Sequence, residues 1–504
     1  MKLGVGSHDV TATPSAARQA AILLAGKVLG TISEALVPLM IVRLWGKAEV
    51  GHVASAQLTY FALTTILQAG FPEAATYFLP GRSAPERRAI TAQLARILLG
   101  VGVLAATLLV LISGVSALSL GGSDWAKGAA LLPWFALLAL ADLPSRMVTN
   151  VLVVEGRAAT TAALGVFRAT GVAIATLVPA LSGWSPEGVV ASTCAFGIGF
   201  AGLSLWVVRR HFRDAAPQPS PVANREVLRF AVPLGLTEVA SITNAQLDRY
   251  LVLGWFTAET FAEYHAGAWQ VPLVGSIPHI IGVAFTPQFV VWFGQGMRAE
   301  VLAAWRQLAV RTAVLVTPLS AVFIVGAEET MTLLFTDAYS DSATVFRLFS
   351  VFMMLRVATF GNLLLAAGRT GLITRASFLA VASNALITVP CVAFFGPAGA
   401  ALGTTLAFLP TATYYCYGIA EITGVRLRAV YPLLGHARVI LLVAVSSAPA
   451  LAVKAWVPFG PGALLALEAT ALLTTYAILA TAVGYITPED WRVATARVRQ
   501  KLGR

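Results

Sequence analysis

The sequence predicts an all-α, polytopic membrane protein of about fourteen transmembrane helices, arranged as two parallel six-helix repeats followed by two C-terminal helices. Three observations predict it: an apolar, charge-poor composition, a succession of long hydrophobic runs, and an internal repeat. Hydrophobic residues make up 57% of the 504 positions and charged residues only 12%, with a mean hydropathy of +0.77. A water-facing globular chain carries roughly 25% charge. This shortage leaves too little polar surface to face water on all sides.

A helical span needs about 20 largely apolar residues, and fourteen runs satisfy that: 20–44, 52–79, 90–119, 128–153, 160–182, 187–208, 229–255, 261–292, 307–334, 342–366, 373–395, 398–419, 437–457 and 462–486. Helices are the expected spanning element because hydrocarbon offers no partner to an open strand edge. The first 19 residues are polar and lack a cleavable signal's apolar core, so the first run reads as a retained helix. Alternate loops differ in basic content. One set holds Arg82, Arg87 and Arg88, Arg157, Arg209 to Arg225, Arg298 and Arg306, Arg369, and Arg426 with Arg428; the other holds Lys47, Lys127 and Lys454 with Glu259, Asp337 and Asp341. The positive-inside rule puts the first set and both termini in the cytoplasm. The basic tail 487–504 fits that side and lies against anionic lipid. Net charge +11 is thus largely a topology signal, and no nucleic-acid partner is expected.

The repeat shows in "NVLVVEGR" at 150–157 and "NLLLAAGR" at 362–369, 212 residues apart. Weaker matches set 48–56 against 260–268 and 70–78 against 282–289. Six spans separate the copies, an even number, so the halves share an orientation, as in parallel-repeat transporters. The expected organisation is a cytoplasmic N-terminal tail (1–19), an N-lobe (20–208), a Pro-rich cytoplasmic linker (209–228), a C-lobe (229–419), two further spans (420–486) and the basic tail.

Several chemistries are missing. "GIGFAG" at 197–202 lies inside an apolar span with no strand before it and is no dinucleotide fingerprint. No phosphate-binding G-x-x-x-x-G-K-[ST] loop and no metal-ligand spacing occurs. Cys194, Cys391 and Cys416 are isolated in apolar runs and read as small buried hydrophobes. The expected outer loops are short, leaving no floor for a polymerase or ligase active site. No cofactor is expected, and the chain is read as a non-enzyme.

The layout, the Asn-x6-Arg signature closing the fourth and tenth spans, and "FFGPAGAALGTTLAF" at 394–408 resemble the bacterial Wzx-type oligosaccharide flippases of the multidrug/oligosaccharidyl-lipid/polysaccharide (MOP) exporter superfamily. The resemblance implies a V-shaped cavity that opens alternately to either side of the inner membrane. It also implies transport of an undecaprenyl-diphosphate-linked oligosaccharide for O-antigen, capsule or exopolysaccharide synthesis. Membrane lipids, a polysaccharide polymerase and a chain-length regulator would be partners. The alternatives are an ion-coupled multidrug or small-molecule antiporter of the same fold, and a peptidoglycan lipid flippase.

Charge inside a bilayer is costly and normally faces a partner or a wet cavity. Lys27, Arg168, Arg249 and Arg356 are the expected cations for a diphosphate; Glu34, Asp142, Glu238 and Asp248 are the expected carboxylates for coupling to H+ or Na+. Lys27 and Glu238 stand 211 residues apart, at equivalent places in the repeat. His265 and His279 read as packing residues, Arg43, Arg311 and Arg347 as interface anchors, and Gly26/Gly30 and Gly399/Gly403 as close-packing helix faces.

Overall fold

The computed structural model describes residues 37–119 and 123–488. Lys27, Glu34, Gly26, Gly30 and most of the first expected span lie outside them, as do the N-terminal tail and all but the first residues of the basic tail. Every regular element among the described residues is helical. By contact clustering the chain divides into two compact units, Met1–Ile242 and Thr243–Arg504.

The first unit holds α1 (Lys47–Gln68), α2 (Phe71–Phe78), α3 (Ala84–Ser119), α4 (Asp124–Ala129), α5 (Leu132–Ser145), α6 (Val148–Val154), α7 (Ala158–Leu181), α8 (Pro186–His211) and the start of α9 (Asn224–Trp255). Helix α1 stops where Ala69 adopts a positive φ of 45°, and the chain restarts with Pro72 in the first turn of α2. Pro72 lacks the amide that a continuous helix would use, and its ring would strike the carbonyl four residues back. Two apolar cores hold this unit. One gathers Ile90, Leu94 and Leu98 of α3 against Val148, Val151 and Leu152 of α6. The other gathers Ala105 and Leu109 of α3 against Leu132, Phe135 and Ala139 of α5.

The second unit holds the rest of α9, then α10 (Ala258–Gly267), α11 (Pro272–Gly294), α12 (Arg298–Val325), α13 (Ala327–Phe335), α14 (Ser342–Leu355), α15 (Phe360–Ala366), α16 (Thr370–Thr423), α17 (Leu433–Trp456) and α18 (Pro461–Ala482). Helix α16 is two helices in sequence, because Gly396 takes φ 61° and ψ −146° and Pro397 opens the next run. Its arms meet through glycine. A Cβ on Gly399 would fall 1.9 Å from the Cys391 carbonyl oxygen, and one on Gly403 2.4 Å from the Thr388 Cα. The close-packing role expected of this pair is what the structure shows.

Ten helical segments among the described residues are long and apolar enough to cross a membrane, against fourteen expected. The difference has physical sources. The first expected span is mostly outside the described residues, and α16 counts once although it turns at Gly396. Helices α1 and α9 fall outside the ten. The first carries His52, Gln57, Thr59, Thr64, Thr65 and Gln68 along its length; the second carries Arg225, Glu226, Arg229, Glu238, Asp248 and Arg249.

The duplicated motif folds the same way twice. In the first copy Glu155, Gly156 and Arg157 donate their amides to the Val151, Val153 and Leu152 carbonyls at 3.0, 3.0 and 2.8 Å. In the second, Ala367, Gly368 and Arg369 donate to Leu363, Leu365 and Leu364 at 3.1, 3.0 and 2.9 Å. Gly156 and Gly368 carry φ of 69° and 71°, the left-handed turn that ends each helix and that glycine adopts without a Cβ clash. The conserved turn explains the Gly of the motif; the side chains around it diverge. Glu155 pairs with Arg87 at 3.0 Å and His211 at 2.8 Å, whereas Arg369 pairs with Glu421 at 2.7 Å.

The Pro-rich segment after α8 is strapped to the first unit. Gln93 donates to the Val222 carbonyl at 3.0 Å and to Asn224 Oδ1 at 2.6 Å, and it accepts from Ser220 Oγ at 2.6 Å. Arg88 donates to the Ala215 carbonyl, and Val222 and Phe212 are buried in the unit's core.

Substituting Gly403 by Val should force the arms of α16 apart, at a cost of about 1–3 kcal/mol for overpacking. Thermal unfolding in detergent is expected to show a lowered melting temperature.

Candidate functional site

Helix α1 presents Tyr60, Thr64 and Gln68 at spacings of four, so the three polar side chains form one stripe in an apolar run. Helix α5 presents Asp142, and Arg146 follows four residues on as its C-cap. Pro144 and the break before α6 place Arg146 at the helix end, where a cation also complements the helix dipole.

The two stripes interlock. Arg146 pairs with Asp142 Oδ2 through NH2 at 2.8 Å and through Nε at 2.9 Å. Its NH1 donates to Gln68 Oε1 at 2.9 Å and its NH2 to Thr64 Oγ1 at 2.9 Å. Tyr60 donates its hydroxyl to the same Asp142 oxygen at 2.8 Å. Each charge is thereby matched by the other and by neutral hydrogen-bonding groups, the condition for holding charge in an apolar bundle. Asn150 of the repeat motif adds a hydrogen bond from Nδ2 to the Pro72 carbonyl at 2.8 Å, tying α6 to the restart at α2.

This network forms one wall of a cavity of about 550 Å³ in the first unit, within the usual ligand-pocket range of roughly 300–1,000 Å³. A second wall is aromatic. Phe196 and Phe200 of α8 line the cavity, with ring centroids 6.4 Å apart, and Phe167 of α7 lies 5.9 Å from Phe196. Gly171 makes room for this arrangement, since a Cβ there would fall 1.9 Å from the Phe196 ring. Glu73, Arg168 and Glu238 complete the charged lining, and Glu73 and Glu238 lie close enough to repel each other. All three are exposed, and among the described residues Arg168 has no ion-pair or hydrogen-bond partner.

Of the residues expected from sequence, Asp142, Arg168 and Glu238 thus line one cavity. Arg146, Glu73, Tyr60 and Gln68 were not anticipated. The signal for Arg146 was present as its i,i+4 spacing from Asp142, and for Gln68 as its place on the Tyr60 stripe.

Asp248 and Arg249 lie in the second unit. Asp248 is only 3% exposed; Oδ2 accepts from Tyr264 at 2.6 Å, while Oδ1 has no hydrogen-bond partner among the described residues. Arg249 NH1 donates to Gln246 Oε1 at 2.7 Å. Beside them, His265 Nδ1 is buried and also lacks a hydrogen-bond partner among the described residues. Arg356 caps α14, with its guanidinium 5.8 Å from the Phe352 ring centroid. Arg347 is part of an ionic cluster: it binds Glu328 at 2.7 Å, and Lys454 binds Glu328 and Glu329 at 3.3 and 2.9 Å.

Fold and cavity together define a multi-pass membrane protein built from a helical repeat. The polysaccharide biosynthesis protein family model matches residues 16–286, more than half of the chain, and the chain belongs to that family. Among solved structures it is similar to the lipid II flippase MurJ in an inward closed conformation, at 12% identity and a TM-score of 0.64, over 92% of this chain and 99% of that one. A multidrug resistance MATE family transporter of the MOP superfamily, inward-facing, matches at 16% identity and a TM-score of 0.61, over 81% of this chain and 99% of that one. A MOP superfamily transporter from Pyrococcus furiosus matches at 14% identity and 0.57, over 82% and 96%. The fold is therefore that of the MOP superfamily. No curated protein matches the chain by sequence.

Asp142→Asn should leave the Arg146 guanidinium without its counter-charge at a cost of about 1.5–3 kcal/mol, the range for a hydrogen bond to a charged group. A lowered melting temperature that is restored in the Asp142→Asn, Arg146→Gln double variant would check it.

Proposed function

We propose that this protein is a flippase that carries an undecaprenyl-diphosphate-linked oligosaccharide across the bacterial inner membrane by alternating access, supplying polysaccharide synthesis. The observation that carries the reading is the first unit's cavity: a polar, hydrogen-bonding space inside an apolar bundle, in a chain of the polysaccharide biosynthesis family. Asn150, Gln68 and Glu73 offer hydrogen bonds to sugar hydroxyls, Phe196 and Phe200 offer flat faces to sugar rings, and Arg168 offers an unmatched cation to a diphosphate oxygen. The polyprenyl tail stays in hydrocarbon while the head group crosses through the wet cavity.

Glu238 and Asp248 are the carboxylates proposed for coupling to H+ or Na+, with Asp142 engaged in holding Arg146. In this reading 20–208 and 229–419 are the two lobes joined by 209–228, the spans of 420–486 are an addition to them, and both termini are cytoplasmic. A polysaccharide polymerase and a chain-length regulator are the proposed partners downstream.

A second reading is favoured by one observation. The described lining carries three carboxylates, Glu73, Asp142 and Glu238, against two guanidiniums, Arg146 and Arg168. An excess of acid suits a cationic cargo, as in an ion-coupled multidrug antiporter. Reconstitution separates the two. In vesicles, the flippase reading expects a fluorescent diphosphate-linked oligosaccharide to cross, with Arg168→Ala slowing it about tenfold or more for loss of a charge-assisted contact. Export of an organic cation by the same vesicles, with no lipid movement, would select the antiporter.

A further inference from the structure

Helix α18 carries one charged residue along its length, Glu468, in an otherwise apolar run. The residue is 1% exposed, and both carboxyl oxygens are buried with no hydrogen-bond partner among the described residues. The helix packs against α17, α13 and α12. Glu468 is aimed at the junction of the last two. A Cβ on Gly326, where α12 ends and α13 begins, would fall 2.9 Å from Glu468 Oε2 and 2.4 Å from Leu465 Cδ1. Glycine at 326 leaves the carboxyl its place.

The groups that face it form the ionic cluster of the second unit. Glu328 and Glu329 come from the first turn of α13 and Lys454 from the last turn of α17. All three are near enough to act on Glu468 electrostatically. Helix α12 brings apolar Val322 and Val325 to the core that Leu465 joins. Lys454 is spent elsewhere: it donates to Glu329 Oε2 at 2.9 Å and to the Val325 carbonyl at 3.3 Å, and it lies 3.3 Å from Glu328 Oε2. Arg347 of α14 donates to Glu328 at 2.7 Å and to the Ile324 carbonyl at 3.3 Å. Two cations thus answer two carboxylates, and Glu468 is a third carboxyl with no cation of its own. Glu328 is exposed, so the cluster reaches from the interior to the surface. An ionised Glu468 would be a buried, unpartnered charge beside the Glu329 carboxylate, and a group so placed is neutralised instead.

We propose that Glu468 is a proton-binding site and that its proton decides the partner of Lys454. With the proton bound, Glu468 is a neutral acid and Lys454 fastens α17 to α13. On release the O–H bond breaks and the proton passes to solvent. Lys454, an ammonium throughout, then turns from Glu329 to the newly formed charge on Glu468. A clamp between α17 and α13 is exchanged for one between α17 and α18. The site lies within the second unit and uses no residue of the first unit's cavity, so it stands or falls apart from the flippase reading.

The test uses the full chain in detergent and reads the carbonyl stretch of a protonated carboxyl by infrared difference spectroscopy. Wild type is compared with Glu468→Gln, which has the shape of the neutral acid and needs no repacking of the bundle. At about pH 6 an ordinary glutamate is ionised. A protonated-carboxyl band at that pH in the wild type, absent from Glu468→Gln and lost as the pH is raised, is the expected result. Spectra that do not differ between the two chains overturn the proposal. A band that persists to about pH 10, where lysine itself begins to lose its charge, overturns the exchange with Lys454. Glu329→Gln removes the acid that competes for Lys454 and is expected to move the loss of the band to lower pH; an unmoved band also overturns the exchange. Thermal unfolding gives a second reading. The folded chain holds a proton that the unfolded chain has lost, so the wild-type melting temperature should fall as the pH rises through the range where the band disappears. Glu468→Gln is expected to remove that fall, and an equal fall in both chains counts against the site.

Discussion

A charge in an apolar helical bundle has to be answered by an opposite charge, by hydrogen-bonding groups or by water, and the first unit is organised around one such answer. Asp142 and Arg146 neutralise each other within a single helix end, and Tyr60, Thr64 and Gln68 from α1 supply the remaining partners. The pair therefore joins two elements: three directional contacts at 2.8–2.9 Å run between α1 and the end of α5 and fix their register. The polar wall of the cavity is the exposed side of this lock.

The breaks in the helices serve the same end. Interrupting α1–α2 at Ala69 and α5–α6 at Arg146 frees backbone groups in the middle of the bundle, and the structure satisfies them locally. Gly70 donates to the Ala231 carbonyl at 3.2 Å, and Asn150 reaches the Pro72 carbonyl. Close approach makes this geometry available: a Cβ on Gly70 would lie 2.9 Å from the Ala231 carbonyl oxygen, and one on Gly235 2.4 Å from the Ala69 Cβ. Irregular backbone at membrane depth is tolerated where protein or a wet cavity covers it, and here it borders both.

Duplication supplies a control within one chain. The glycine turn after each motif is reproduced to within a few degrees of φ, because only the backbone decides it. The ionic contacts around the turn differ, because side chains on neighbouring elements decide them. Glu155 has Arg87 and His211 within reach; the residue 212 positions on is Ala367, and the second copy uses Arg369 with Glu421 instead.

What the sequence determined by itself was the class: an apolar, repeated, helical chain with few internal charges. Hydropathy and the Asn-x6-Arg motif are local properties, written along the chain and read without knowing what touches what. Asp142, Arg168 and Glu238 were legible as unusual residues for the same reason. Their meeting at one cavity was decided by tertiary structure, since they come from α5, α7 and α9 and no spacing in the chain encodes that convergence. Folding also decided which charges are spent. Arg146 and Arg356 are both arginines at the end of an apolar run, and only the neighbours decide that the first meets Asp142 and the second the Phe352 ring.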